Sequence, residues 1–298
     1  MSDSNPAVSS TDAPVSDAPV WFVTGCSSGF GRQLCDVVLK HGGRLVATAR
    51  DVSTLADLPA DADRVLVAPL DVTDRASIDA AVAAAKARFG RIDVLVNNAG
   101  YGLFGGIEDT PDADVRRQFD VNVHGLLDVT RAVLPTLRAQ KSGHILNLSS
   151  IAGLVARAST GFYAATKFAV EALSEALRDE VEPLGIKVTL IEPSGFKTDF
   201  HGRSLAAPEA EGADYLETAA AGRDRVRGMA GAQAGDARKA VELMWQCVQL
   251  PDPPFRLPMG VMAIELLREK LASVAADADR CEPSARSADG EEPLVPLT

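Results

Sequence analysis

Three side chains able to handle a proton lie close together in the sequence: Ser150, Tyr163 and Lys167. Residues at i and i+4 share one face of a helix, so a helix across Tyr163-Ala-Ala-Thr-Lys167 places an ammonium beside a phenol. A nearby cation favours the phenolate and lowers a pKa that is ordinarily ~10. Tyr163 is therefore expected to exchange protons near neutral pH with a carbonyl or alcohol oxygen, which Ser150 would orient. Tyr–Lys pairs at this spacing also occur on ordinary exposed helices, so the pair alone assigns nothing. Its context adds weight: Ser149-Ser150 ends the apolar run Ile145-Leu146-Asn147-Leu148, which reads as a buried strand, and reactive groups gather at the carboxyl ends of such strands.

A second constellation lies near the start. Thr24-Gly25-Cys26-Ser27-Ser28-Gly29-Phe30-Gly31 joins an apolar run to a helical pattern. Backbone N–H groups and the helix dipole at such a junction favour an anion, and a pyrophosphate suits it. Gly25 permits the tight turn, Gly29 close backbone approach, and Gly31 packing of the helix near the strand. At the end of the second apolar run, Ala47-Thr48-Ala49-Arg50 carries no carboxylate. An acidic residue there commonly binds the ribose hydroxyl of NAD(H), whereas the Arg50 guanidinium suits the 2′-phosphate of NADP(H). NADP(H) is favoured, with NAD(H) left open because Asp51 follows at once and Arg50 also reads as a solvated turn residue.

Both constellations need elements to hold them. Short β-type runs at residues 20–24, 45–48, 65–67, 94–96, 144–148, 187–191 and 255–257 alternate with helical patterns at 29–41, 75–89, 112–139, the stretch from Tyr163 to near Pro183, 236–248 and 261–275. Strands alternating with helices imply an α/β domain with a parallel sheet covered on both faces. Residues 199–236 are less regular, rich in Ala and Gly, and read as a substrate lid containing Leu205, Tyr215 and Leu216. Residues 1–19 and 276–298, acidic and containing Ser and Pro, read as flexible tails around one domain at 20–275.

Composition excludes several functions. A net charge of −11 argues against a nucleic-acid surface, which needs clustered Lys and Arg. No stretch approaches the ~20 apolar residues of a membrane span. Cys26, Cys35, Cys247 and Cys281 show no metal or disulfide spacing, which points to a reduced, cytoplasmic setting. Cys26 reads as a small loop cysteine. His41, His124, His144 and His201 are dispersed, and no metal is assigned.

Taken in order, Thr24-Gly25-x-x-x-Gly29-x-Gly31, Asn97-Asn98-Ala99-Gly100, Asn122, Ser150 and Tyr163-x-x-x-Lys167 resemble the short-chain dehydrogenase/reductase family across about residues 20–198, and more weakly to 275. The segments Ser149-Ser150-Ile151-Ala152-Gly153 and Ala165-Thr166-Lys167-Phe168-Ala169-Val170 look most like its 17β-hydroxysteroid dehydrogenase-like branch. The resemblance implies a single-domain Rossmann fold with about seven parallel strands in the order 3-2-1-4-5-6-7, doubly wound by helices. It implies a catalytic tetrad of Asn122, Ser150, Tyr163 and Lys167, with Ser150 and Tyr163 also meeting a small-molecule carbonyl or alcohol. Lys167 would hold the nicotinamide ribose, and Asn122 would hold a water connecting Lys167 to solvent. Asp71 and Val72 would meet the adenine, and Asn98, Ala99 and Gly100 the adenosine side. Pro193-Ser194-Gly195 stands where the family commonly has Pro-Gly, which questions the loop conformation; Thr198 keeps its spacing from Pro193 and would bind the carboxamide. Helices near 112–139 and 163–183 would form a homodimer or homotetramer contact, or else pack only on their own sheet. An epimerase or dehydratase on a related fold, and a non-catalytic nucleotide-sensing scaffold, are the alternatives.

Overall fold

Runs of Val, Leu and Ile form the central strands here because they are buried between layers of helices. In chain order the first half comprises β1 (Val20–Val23), α1 (Gly29–Lys40), β2 (Arg44–Ala49), β3 (Val65–Pro69), α2 (Arg75–Phe89), β4 (Val94–Asn97), β5 (Gly102–Leu103), α3 (Asp112–Phe119) and α4 (Leu126–Gln140). The second half comprises β6 (Gly143–Leu148), α5 (Gly161–Val181), β7 (Ile186–Pro193), β8 (Leu205–Ala206), α6 (Ala221–Gly228), α7 (Ala237–Gln249), β9 (Arg256–Met259) and α8 (Val261–Arg286). This computed structural model describes residues 17–198, 205–207, 213–228, 233–289 and 293–296.

Seven strands pair in parallel in the order β3-β2-β1-β4-β6-β7-β9. The short β5 and β8 pair with each other in a separate ribbon. Counting the seven main strands alone, the order is the expected 3-2-1-4-5-6-7. Side chains alternate across each strand: Trp21 and Val23 join Leu34, Val37 and Val38 of α1 and Val241 and Met244 of α7. Phe22 and Ile145 face the other way, onto Ile78 and Val82 of α2 and Val129, Val133 and Leu137 of α4. The order reverses between β1 and β4, and the carboxyl ends on either side of that point form the crevice where the reactive residues collect.

Helix starts follow local chemistry. Asp74 accepts from the Ala76 N–H at 3.0 Å to begin α2, whose observed limits match the expected ones. Asp236 accepts from the N–H groups of Arg238 and Lys239 at 2.9 and 3.3 Å to begin α7, as an N-cap should.

Three segments depart from expectation. Residues 112–139 are not one continuous α-helix: the turn Asp120–Gly125 between α3 and α4 widens to a π-helical form. The cause lies in Asn122, whose side-chain oxygen accepts from the Tyr101 N–H at 3.0 Å while its NH₂ donates to the Tyr101 carbonyl at 2.9 Å. The helix bulges to keep both bonds. At the other end, α8 does not stop at residue 275 but continues to Arg286. Pairs at i, i+3 and i, i+4 line its last turns, Arg280 with Asp277 at 3.2 Å and Arg286 with Glu282 at 2.6 Å, and acidic composition there encodes a helix face. Within the expected lid, residues 199–204, 208–212 and 229–232 lie outside the described residues. The described part is more regular than expected, with β8, a π-helical Leu216–Ala220 and α6. Of the expected tails, residues 1–16, 290–292 and 297–298 also lie outside. Among the described residues, no helix is long and apolar enough to cross a membrane.

Candidate active site

The glycine-rich loop lies between β1 and α1. Gly25 has φ 71° and Gly29 has φ 58°, values that L side chains rarely adopt. A Cβ at Gly25 would stand 2.9 Å from the Ala99 Cα, and one at Gly31 would collide with the Gly25 carbonyl and the Asn98 side chain. A Cβ at Gly29 would instead meet the Thr198 Cβ at an ordinary van der Waals distance, 3.8 Å. The loop is thus packed most tightly at Gly25 and Gly31. Ser28 is the N-cap, its side chain forms no capping bond, and the first turn of α1 carries no acidic residue. These features fit an anionic group at the start of α1. Ser27 is half-buried in the loop, and Phe30 packs edge-on against Phe196 at 5.5 Å. Cys26 is buried and donates to the Val23 carbonyl at 3.2 Å, in keeping with its reading as a packed loop residue.

The Asn98 side chain braces the glycine-rich loop. Its NH₂ donates to the carbonyls of Thr24 and Gly25 at 2.8 and 3.0 Å, so the side chain is engaged in holding the loop. The Thr24 hydroxyl accepts from the N–H groups of Asn98 and Ala99, each at 3.0 Å. Val72 likewise turns its side chain inward, against Gly125.

Arg50 is exposed at the end of β2. Its neighbour Asp51 caps the following turn, accepting from the Ser53 N–H at 3.0 Å. Burial opposes ionisation of Asp71, yet the N–H and hydroxyl of Thr73, with Arg50 and Arg117, hold its pKa below the ordinary value.

The structure gathers Asn122, Ser150, Tyr163 and Lys167. β6 delivers Ser150 just past its end, and one turn of α5 carries Tyr163 and Lys167, both buried. The Ser150 hydroxyl lies beside the Tyr163 phenol. It also accepts from the Ala152 N–H at 3.1 Å and reaches the Pro193 carbonyl at 3.4 Å. Lys167 Nζ lies 5.8 Å from the centre of the Tyr163 ring and donates to the Leu148 carbonyl at 2.6 Å. A Cβ at Gly100 would stand 3.1 Å from Asn122 Oδ1 and 3.9 Å from Lys167 Nζ, so the two groups border one space. Both polar atoms of the Asn122 amide are bound by protein groups, Tyr101 and, at 3.2 Å, the Thr166 hydroxyl. The amide is therefore anchored in the protein.

The expected lowering of the tyrosine does not occur. Burial pushes Tyr163 up to about 12, and the Ser150 hydroxyl offsets this only in part. Burial also brings Lys167 down to about 8, against an upward pull from Glu171. Desolvation disfavours both charged forms, and it outweighs the pairing that sequence spacing suggested. Tyr163 is a neutral phenol in this state.

Ser194 raises no backbone difficulty. Outside glycine, only Lys141 and Ser159 among the described residues have positive φ, and the Ser194 hydroxyl donates to the Met259 carbonyl at 3.2 Å.

Sequence reading missed the polar groups behind the site. Asn97 donates to Thr130 and Asn147, each at 2.9 Å, and Asn147 to Ser174 at 2.9 Å. Ser149 donates to Glu171. Arg256 bonds Glu171 and Glu175, and Glu192 at 2.6 Å. One sequence signal was available: Glu192 interrupts the apolar run of β7, and a carboxylate inside a strand demands a partner.

A twisted parallel sheet with a glycine loop at its switch point and a Ser–Tyr–Lys group across the crevice defines a Rossmann-like oxidoreductase architecture. The family model described as short chain dehydrogenase matches residues 19–208, and the chain belongs to that family. It is 36% identical to oxidoreductase BOA17 of Botryotinia fuckeliana, over 83% of this chain and 90% of that protein. The crystal structure of a short-chain dehydrogenase from Streptomyces avermitilis superposes with a TM-score of 0.85 at 39% identity, covering 92% of this chain and 100% of the other. Two further structures, each 25% identical, are a Burkholderia cenocepacia enzyme in complex with NADP (TM-score 0.70, 89% of this chain and 98% of the other) and a Burkholderia phymatum enzyme in complex with NAD (0.71, 94% and 99%).

Proposed function

We propose that this protein is an NADP(H)-dependent oxidoreductase interconverting a carbonyl and a secondary alcohol on a moderately apolar small molecule. The observation that carries the reading is the placement of the Ser150 hydroxyl beside the buried Tyr163 phenol, with Lys167 one turn along the same helix. The bound dinucleotide would supply or accept the hydride. The loop at Gly25, Gly29 and Gly31 would hold its pyrophosphate, the exposed Arg50 its 2′-phosphate, and Thr198 and Pro193 its nicotinamide end.

In the direction of reduction, the substrate oxygen is held by the Ser150 hydroxyl, which stabilises charge as it develops there. Tyr163, buried and neutral, donates its proton to that oxygen as the carbonyl carbon receives the hydride. Lys167 keeps positive charge near the phenolate that remains. The ring of Phe104 lies 5.5 Å from that of Tyr163 and supplies an apolar wall. On the same side, the Tyr215 hydroxyl donates to Glu108 at 2.6 Å, fastening the described part of the lid to the loop after β5.

A panel of ketones, aldehydes and secondary alcohols, followed by NADPH absorbance with NADH in parallel, tests the reading. Turnover with NADPH that depends on Tyr163 is the expected result. Cofactor binding without oxidation or reduction of any compound would reject an enzymatic role.

A further inference from the structure

Four charged side chains meet behind the proposed site. Glu171 follows Lys167 by one turn of α5 and is buried, with 6% of its side chain exposed. It accepts from the hydroxyl of Ser149, the residue before Ser150. The guanidinium of Arg256, on β9, binds Glu171 on one side and Glu192 of β7 on the other, the latter at 2.6 Å, and also reaches Glu175. Glu192 is fully buried and precedes Pro193, whose carbonyl faces the Ser150 hydroxyl at 3.4 Å. Gly153 completes the arrangement. A Cβ there would stand 2.7 Å from Ser149 Oγ and 2.9 Å from Glu171 Cγ, so a bare backbone makes room for their contact.

We propose that Glu171 is a positioning residue for the proposed reaction, binding the Ser149–Ser150 corner to the helix of Tyr163 and Lys167 and setting a carboxylate one helical turn from the Lys167 ammonium. The inference rests on the functional reading above. A buried carboxylate is costly unless it is paired, and this one is paired on both sides. Its hydroxyl partner fixes the corner, and its guanidinium partner ties the corner to β7 and β9. Three strands and one helix thereby share a single ionic centre, and a sub-ångström shift of Ser150 against Tyr163 would cost rate.

The groups facing Lys167 are Tyr163 on its own helix, Asn122 from the π-helical turn and the Leu148 carbonyl from β6. The charge that acts on it is that of Glu171, which raises its pKa against burial. Arg256, Glu175 and Glu192 lie behind that carboxylate.

Two substitutions separate the two roles. Glu171→Gln removes the charge and keeps an acceptor for Ser149, whereas Ser149→Ala removes the donor and keeps the charge. Lysine ε-carbon NMR of the full chain, with the Lys167 signal assigned by its loss in Lys167→Met, should show Lys167 titrating at lower pH in Glu171→Gln and unchanged in Ser149→Ala. In reduction of phenanthrenequinone by NADPH, both variants should lose about tenfold in kcat while NADPH affinity, read by fluorescence, stays within about twofold. Unshifted titration of Lys167 in Glu171→Gln overturns the electrostatic role, and unchanged kcat in Ser149→Ala overturns the positioning role. Should Glu171→Gln fail to fold, Ser149→Ala and Gly153→Ala keep the positional claim open to refutation. The NMR result does not depend on turnover, so its failure is distinct from failure of the functional reading, which a fully active Tyr163→Phe enzyme would show.

Discussion

Lys167 Nζ donates to the Leu148 carbonyl at 2.6 Å, which fastens the ammonium to the end of β6, while burial keeps the neighbouring Tyr163 phenol protonated. The arrangement stores a proton on Tyr163 and a positive charge beside it, the state needed to protonate an oxygen.

Tyr163→Phe keeps the packing against Phe104 and removes the transferable proton. Turnover should fall ~10²–10⁴-fold with cofactor binding preserved. Ser150→Ala should also lower kcat/KM, because a donor to the developing charge is lost. Near-wild-type rates in either variant, measured on any compound the enzyme reduces, would remove that residue from the mechanism.

Arg50→Ala should weaken NADPH binding roughly ten- to a hundredfold, since a hydrogen bond to a charged group contributes ~1.5–3 kcal/mol. NADH affinity should change little. Titration by fluorescence decides the matter: equal losses for the two dinucleotides, or native preference for NADH, would show that Arg50 is not the selector.

Gly31→Ala forces a methyl into the Gly25 carbonyl and the Asn98 side chain. Overpacking of this kind costs ~1–3 kcal/mol. Both dinucleotides should bind more weakly and Tm should fall. A variant with native Tm and native affinity for both would mean that the loop accommodates the methyl, against its packed geometry.

The Glu192 carboxyl is raised to about 7 by burial first and then by the charge of Glu171, against Arg256. The unfolded chain holds that proton only to its ordinary pKa of ~4.3. Because the folded value lies above the unfolded one, the contribution to stability is fully present at acid pH and is lost as pH rises through about 7. Glu192→Gln stays neutral throughout. Its Tm should fall less than that of the wild type between pH ~5 and ~8, and parallel curves would contradict the assignment.

Association through the exposed side of α3, α4 and α5 is expected to give a homodimer or homotetramer. Light scattering across a concentration series checks this. A constant monomer mass would mean that these helices pack only on their own sheet.

Much of this architecture was legible in the sequence because its signals are local. Glycine spacing, apolar runs and the aspartates at positions 74 and 236 act within a few residues, and α2 and the start of α7 follow from them directly. The π-helical turn was not legible, since apolar periodicity does not register a side chain that reaches back to Tyr101. The end of α8 was misjudged because an acidic, Pro-containing stretch reads as a tail until its i, i+4 pairs are placed on a helix. The Tyr163 pKa was misjudged for a related reason: spacing reveals a neighbouring cation, while burial emerges only from the assembled sheet. Glu171, Glu192 and Arg256 are brought together by α5, β7 and β9 from separate parts of the chain, and only Glu192, inside an apolar strand, signals locally that a partner is needed.

The hydroxyl of Thr24, receiving the N–H groups of Asn98 and Ala99, and the amide of Asn98, spanning the two loop carbonyls, have a consequence for how a dinucleotide would be discriminated. They join the loops after β1 and β4 into one preformed receptacle, so little conformational entropy remains to be surrendered there when a ligand arrives. Rearrangement on binding would then fall to other segments of the chain. Selection between phosphorylated and unphosphorylated ribose would become an equilibrium comparison made at the rim of a rigid mould, and exchanging Arg50 there would alter the choice without recasting the mould.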